Sequence, residues 1–600
     1  MKPCQLSWKW LLLGLVVLLL VGLAVLPRQF GTSSELRDRV AAELSAWTGG
    51  TVTLTEPVDV RYYPPLSMRA GFVLSNATRL PLVQSIDARD IKISFSLPDL
   101  LLGRLKIDAV RLSRPKIVLK DTTATPPSPD QTPEALVTDL LADSPIGVID
   151  LGRGTIVTAS GQRLASHLDA RLEANGGGAL SVLGAFDFRN EVVRFAATNG
   201  ETTETEEGAT APITVRVTSA PVTAKLSGTA RFGESLGFDG DMQAEMDDVR
   251  RFLNWVGMKL PEGESLKHLT ASGTVHWNGA TLLFDDGSFA LDGNAADGLL
   301  AVTVGDRPRV EGTLAFERLD LNPYLGVGAA ESATTKGAPF DWALLKYLDA
   351  DLRISAAEIA ASDMKLGRGG FTITAKDGAI SSEVGELQLC GGEAGGRAGL
   401  NLSTARTRAS LIGSFNDVNL ETCLQPLGLE VPLKGVGSLR IDVSTGGKTW
   451  EELIRGLAGG FQVTAENGAV PINFPQLLAA GVPPGESSWS HDTVTPFETL
   501  EADCRLSAGH IWCQSFNMQT RSGLISGSGG VDVGRQTLDW DFLIANPVAP
   551  LNASQLVMET PPRVTIRGSL AQPLIQRANR PTLGDGSTQT NPESTQVSPR

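Results

Sequence analysis

The apolar positions of the chain fall into three regimes. From Trp10 to Leu26 (WLLLGLVVLLLVGLAVL) they are unbroken. At about 1.5 Å per helical residue this run covers roughly 25 Å, on the short side for a bilayer core. It reads as a transmembrane anchor bounded by Trp10 and Leu11 at one end and by Leu20 and Leu26 at the other. Lys2 and Lys9 precede it, which leaves residues 1–9 in the cytoplasm and exports the remainder of the chain. A cleaved signal peptide is the rival reading, with Gly22-Leu23-Ala24 as the small-residue site. The run's continuation through Val25 and Leu26 favours retention, and both readings export the chain. From Ser34 to Trp47 the period changes to that of a helix. Leu36, Val40, Leu44 and Trp47 share one face, with Ser33 or Ser34 to cap its start and Gly49-Gly50 its end. Its polar face carries both charge signs, so it suits the end of a β body better than a lipid surface.

Beyond residue 50 the period is two. Thr51–Thr55, Val58–Tyr62, Leu66–Ser75, Leu105–Leu112 and Lys116–Lys120 read as strands, and Ile91, Ile93, Phe95 and Leu97 alternate with polar residues as in a half-buried strand. These strands and the helix make up a first segment, 34–120. Residues 121–133 (DTTATPPSPDQTP) have the composition of a flexible linker. A short helix is expected at Glu134–Leu141, then strands to about Phe232, interrupted at Thr202–Thr210 by an acidic loop. Met246–Val249, Phe316–Leu319 and Phe415–Val418 each end a strand and lead into a short helix-like stretch closing at Gly257, Gly326 or Gly428. This is a degenerate repeat. In its first copy Val249, Phe252, Leu253 and Val256 are spaced to pack on the sheet. Residues 134–330 and 331–576 form the second and third segments. In the third, Thr449-Trp-Glu-Glu452 is a capping box for a helix whose apolar face is Trp450, Leu453, Ile454 and Leu457. Gly459–Ala465 is then a strand, Asn467-Gly468 a turn, and the last strand is Arg563–Gly568. Residues 577–600 are polar and aperiodic, a disordered tail.

Composition narrows the class. Six hundred residues exceed one ordinary core, and a charge of 52 minus 67, or −15, excludes a basic nucleic-acid surface. The 64 glycines suit many short strands joined by turns. Of five cysteines, Cys4 lies before the anchor and four are exported, where disulfides persist. Cys504–Cys513 (CRLSAGHIWC) reads as a hairpin turning at Ala508-Gly509, which sets Ser507 opposite His510 and Cys504 opposite Cys513 at a non-hydrogen-bonded site. A cross-strand bridge fits there, and so do two free thiols facing a core. A bridge between Cys390 and Cys423 would complete the set, though spacing alone does not set their distance.

The order of motifs resembles the AsmA family of Gram-negative envelope proteins. Ala46–Leu54 (AWTGGTVTL), Val60–Met68 (VRYYPPLSM) and Phe72–Asn76 are similar to that family's opening, and Val110–Leu119 (VRLSRPKIVL) to its strand–proline–strand signature. Phe284–Leu325 is the nearest stretch. Leu387–Leu400, Trp450–Asn473, Thr495–Phe542 and Val564–Pro573 resemble its C-terminal region. Cys390 stands where the family more often has an aromatic residue. The resemblance implies a mainly β fold, an elongated curled antiparallel groove with short capping helices. It is anchored in the inner membrane by one N-terminal transmembrane helix and projects into the periplasm, with the 34–47 helix at its mouth. It further implies a part in outer-membrane biogenesis, through phospholipid transfer between membranes or, alternatively, through envelope protein partners in outer-membrane protein assembly.

A groove is physically apt. Each CH₂ left in water costs about 0.8 kcal/mol, so moving a lipid needs a continuous apolar surface. Some twenty strands at about 4.8 Å would extend such a surface on the order of 100 Å. The same alternation also suits packed β-sandwiches, in which the apolar faces bury one another. No catalytic group, metal site or cofactor is expected. His167, His268, His276, His491 and His510 form no HExxH or H-x-x-x-H pair, there is no CxxC, and no GxSxG or phosphate loop occurs. Glycines at Cys390–Gly399 suit strand packing, and Asp247-Asp248 and Asp285-Asp286 suit caps and turns.

Overall fold

A computed structural model describes residues 33–577 apart from loop stretches, the longest being 121–145, 326–347, 475–493 and 546–562. Trp10–Leu26, the 121–133 linker, the helix expected at Glu134–Leu141 and the tail beyond Arg577 lie outside the described residues. The chain is mainly β, with 31 strands and five helices among those residues. None of these helices is long and apolar enough to cross a membrane. The chain divides into two compact units. One is built on residues up to Glu331 with Phe340–Ala361 and Thr372–Gly378, the other on Ser362–Phe371 and Ala379 onward.

The first unit begins with helix α1 (Ser33–Thr48). Leu36, Val40 and Leu44 are buried on the first strands, against Val52, Met68, Leu74, Ile91 and Ile93, and Trp47 packs beside them. Three buried aliphatic side chains on one helix stripe contribute roughly 5–8 kcal/mol of apolar burial. Gly49 ends the helix at φ 64, a left-handed conformation that its missing Cβ allows. Thr51–Arg61 is one strand where two were expected. Pro57 sits in a register shift between Thr55 and Asp59, so its missing N–H breaks no ladder bond and the strand resumes. Thr203–Thr205 pairs with Gly208–Thr210, so the acidic loop expected there is a small hairpin. The β-branched threonines outweigh the charges flanking them.

Most neighbouring strands are antiparallel, but two joints among the described residues are parallel. Val110 and Leu112 lie opposite Ile149 and Leu151, which hydrogen-bonds strands on either side of the 121–145 stretch into one unit. Val310, Leu314 and Phe316 lie opposite Ala350, Ile354 and Ala356. At the foot of this second joint Arg307 Nε donates to Asp349 Oδ1 (2.5 Å), and the Asp377 N–H donates to the same oxygen (3.1 Å). The guanidinium, then the Asp377 amide, hold the Asp349 carboxyl below its ordinary range.

The degenerate repeat places helices at strand ends. Val249–Val256 starts at Asp248, whose carboxylate accepts the Arg251 N–H (2.9 Å), and ends at Gly257 with φ 110. Its docking face differs from the one its spacing predicts. Val256 is exposed, and Trp255 instead stacks edge-on against Phe188 at 5.1 Å while its Nε1 donates to the Phe188 carbonyl (3.0 Å). Arg250 is buried, donating to the carbonyl (2.7 Å) and hydroxyl (3.1 Å) of Ser265. An indole that supplies both ring area and a donor outcompetes a valine for a site lined by a carbonyl. The second copy, Asn322–Leu325, brings Tyr324 beside Asn294, and burial pushes its phenol well above the ordinary range.

In the second unit, Ala458–Val470 continues through Asn467-Gly468, where a turn was expected. Asn467 is left-handed at φ 49, and the pair opposes Gly435 alone, so the Asn-Gly signal marks a β-bulge. Arg563–Ser569 is followed by a further strand, Pro573–Arg577, missed because the run is short and opens with proline. Ile575 is nevertheless buried opposite Ile566. The core here gathers Phe474, Phe516, Trp540 and Phe542 with Met518 and Val564.

The hairpin at Ala508 has the register Ser507–His510, Leu506–Ile511, Arg505–Trp512 and Cys504–Cys513, and the last pair is disulfide-bonded. A second disulfide joins Cys390, just past the strand Ala379–Leu389, to Cys423 in the helix Leu420–Leu424, with Cα atoms 5.6 Å apart. Its 33-residue separation gives about 4 kcal/mol by loop-closure entropy. Replacing both residues (Cys390→Ser with Cys423→Ser) is expected to bring forward the guanidinium unfolding transition of this unit. An unchanged midpoint would show that the bridge contributes nothing.

Candidate functional site

The strands of the first unit are registered so that like faces like across many of them. From Leu180–Phe188 to Asp349–Ala361 ten strands lie side by side, spanning about 43 Å at 4.8 Å per step. One register row crosses all ten without a polar side chain: Gly184, Phe195, Val217, Ala224, Ala244, Ala271, Phe289, Ala296, Phe316 and Ala356. A parallel row runs through Ile213, Gly228, Gly240, Val275, Phe284, Leu300, Gly312 and Leu352. In a third, Val302 stands between Leu282 and Val310. The opposite face is polar and self-paired. His276 Nδ1 lies 2.6 Å from Asp239 Oδ1, Ser288 donates to Asp297 (2.6 Å), and Arg231 forms an ion pair with Asp239.

The apolar rows are not sealed. Ile213, Val215, Leu226, Met242, Leu282, Leu300, Val302, Leu314 and Ile354 are half-buried, while α1 fully covers the same face at the first strands. Two sheets packed as a sandwich would bury these side chains. Glycine marks the middle of this face. Gly228 and Gly240 are register partners, and a Cβ on either would come within 2.5 Å of the other's Cα. Adjoining backbones therefore approach more closely on this side than side chains permit. Bulges at Asp286, left-handed at φ 52, and at His167, φ 50, add local bend and twist to Thr281–Leu291 and to Arg163–Ala174, which adjoins the ten strands.

The second unit repeats the arrangement. Val384, Gly396, Gly413, Ile441, Phe461 and Cys504 form one row, and the Cys504–Cys513 bridge lies in it, buried on the apolar face. Farther along, Phe474 and its neighbours close that face over. Leu36, Val40, Leu44, Trp47, Cys504 and Cys513 thus lie on apolar faces, while Cys390 and Cys423 join a strand end to a helix. Trp10, Leu11, Leu20 and Leu26 lie outside the described residues. Residue spacing did not single out one cluster, Glu245, Asp247 and His268, whose ligand atoms lie within 4.8 Å of one another. All three are exposed at a strand end, and Asp248 beside them caps the helix. His510 is exposed, 3.6 Å from Asp532, and opens the strand His510–Thr520 beside the turn.

Each unit is thus a mostly antiparallel sheet with one self-paired polar face and one half-open apolar face, a class of sheet that offers a surface to hydrocarbon. The AsmA family model matches residues 261–516. That stretch, which includes Phe284–Leu325 and Leu387–Leu400, is an AsmA family region of the chain. No curated protein and no solved structure matches it.

Proposed function

We propose that the chain acts in outer-membrane biogenesis as an inner-membrane-anchored periplasmic protein whose apolar sheet faces form a groove for phospholipid acyl chains in transit between membranes. The observation that carries this reading is the unbroken apolar row from Gly184 to Ala356, flanked by half-buried aliphatic side chains. A sixteen-carbon chain leaving water gains roughly 12 kcal/mol at about 0.8 kcal/mol per CH₂. A surface that accepts such chains at every strand removes most of the barrier to carrying them through water. Passage of this kind makes and breaks no covalent bond, so the protein acts without a catalytic centre. Anchor Trp10–Leu26 fixes it to the inner membrane, and α1, covering the first strands, stands at the groove mouth.

The test is mass spectrometry of lipid extracted from the exported body, Ser34 onward, purified without detergent. Phospholipid at near-stoichiometric amounts is the expected result. A lipid-free preparation that also takes up nothing from vesicles would overturn the proposal and leave a protein-binding assembly factor in its place, to be pursued by crosslinking.

A further inference from the structure

In a chain of net charge −15, one depression gathers cations only. A cavity of about 550 Å³ in the first unit is lined by Arg114, Lys116, Arg153 and Arg163, with Thr155 and Val157 at its floor, and no carboxylate borders it. The volume suits a small ligand. The four cations come from three separate strand regions and meet through register. Lys116 lies opposite Thr155 across the parallel joint, and Val157 lies opposite Arg163 across the next, antiparallel one. Arg114 and Arg153 are both left-handed, at φ 50 and φ 53, where long side chains are uncommon. Both are fixed there by backbone bonds. The Arg114 N–H donates to the Gly152 carbonyl (2.7 Å), the Thr155 N–H to the Pro115 carbonyl (2.8 Å), and the Arg153 N–H to Asp169 Oδ1 (3.0 Å).

Of the neighbouring acids, Asp87 lies opposite Lys116 in the register but outside the cavity lining, and three others are engaged elsewhere. Asp169 accepts that backbone amide, Asp150 pairs with Arg111 (2.9 Å) and Asp187 with His167 (2.7 Å). None of the four cations forms an ion pair with a described carboxylate. Like charges held together repel, and an anion with several acceptor oxygens relieves that repulsion while accepting forked guanidinium bonds.

We infer that this cavity binds a phosphate group, on the polar face of the sheet and independently of any lipid on the apolar face. The group is either the phosphodiester of a lipid headgroup or a free phosphate. Calorimetric titration of the full chain in phosphatidylcholine nanodiscs, with inorganic phosphate and with glycerophosphoglycerol as probes, tests the inference. All four side chains are exposed, so Lys116→Gln with Arg163→Gln leaves the fold intact, as a circular dichroism spectrum and unchanged lipid content would verify. Binding of either probe, weakened at least tenfold in this double variant, is the expected result. Tighter binding of glycerophosphoglycerol assigns the lipid headgroup, and tighter binding of phosphate assigns the free ion. The inference is overturned if neither probe binds at millimolar concentration or if the double variant binds equally well. It is also overturned if Arg353→Gln with Arg408→Gln, which lie away from the cavity, weakens binding as much.

Discussion

Val302→Asp is expected to abolish lipid transfer while leaving the protein folded. Val302 sits between Leu282 and Val310 in a register row of the apolar face and is half-buried. A carboxylate there keeps part of its hydration, so the fold should lose only about 1–2 kcal/mol. An acyl chain passing it must either strip that hydration or lift away from the sheet. At about 3 kcal/mol for the passage, transfer between donor and acceptor vesicles falls at least about a hundredfold. Thr313→Asp provides the control. Thr313 is exposed on the polar face opposite Leu299, beside Arg353, and a charge there should leave transfer unchanged. Wild-type transfer by Val302→Asp, with lipid still co-purifying, would remove the apolar face from the mechanism.

Gly228→Val is expected to destabilise the first unit strongly. Its Cβ would come 2.5 Å from the Gly240 Cα and collide with the Asp239 carbonyl, both of them backbone atoms that cannot rotate away. Two strands would have to separate, breaking ladder bonds between Thr223–Phe232 and Gly237–Met246. Overpacking against backbone in this way costs about 3 kcal/mol or more, or a fall in Tm of roughly 4–5 °C for a unit of this size. Hydrogen exchange should accelerate in those two strands first. If Tm and exchange both stay at wild-type values, the close approach of the two strands is not a structural requirement.

Much of this architecture is legible residue by residue. The alternation at Ile91, Ile93 and Phe95 predicts which side chains are buried, and the spacing of Leu36, Val40 and Leu44 predicts the face that α1 docks. What spacing cannot convey is pairing between distant strands. The parallel joints, the row from Gly184 to Ala356 and the cluster of Arg114, Lys116, Arg153 and Arg163 exist only once register is set. Local signals also carry two meanings. Asn467-Gly468 supplies the left-handed residue that a hairpin turn requires, but a bulge requires the same residue, and the apolar residues Ala469 and Val470 just after it keep the strand going. Trp255 and Val256 compete for one docking site, and a carbonyl at Phe188, far away in sequence, decides between them.

The glycines along the apolar rows have one more consequence. Where Gly228 and Gly240 stand side by side, the surface has no ridge for a hydrocarbon to climb. A chain displaced sideways by one strand spacing, about 4.8 Å, exchanges methyl and methylene contacts for others of the same kind. The energy profile across that pair is therefore shallow, with steps closer to thermal energy than to the cost of leaving the sheet. Under the proposed transfer role, such a track would permit one-dimensional diffusion in either direction, with net flow set by the lipid concentrations at its two ends.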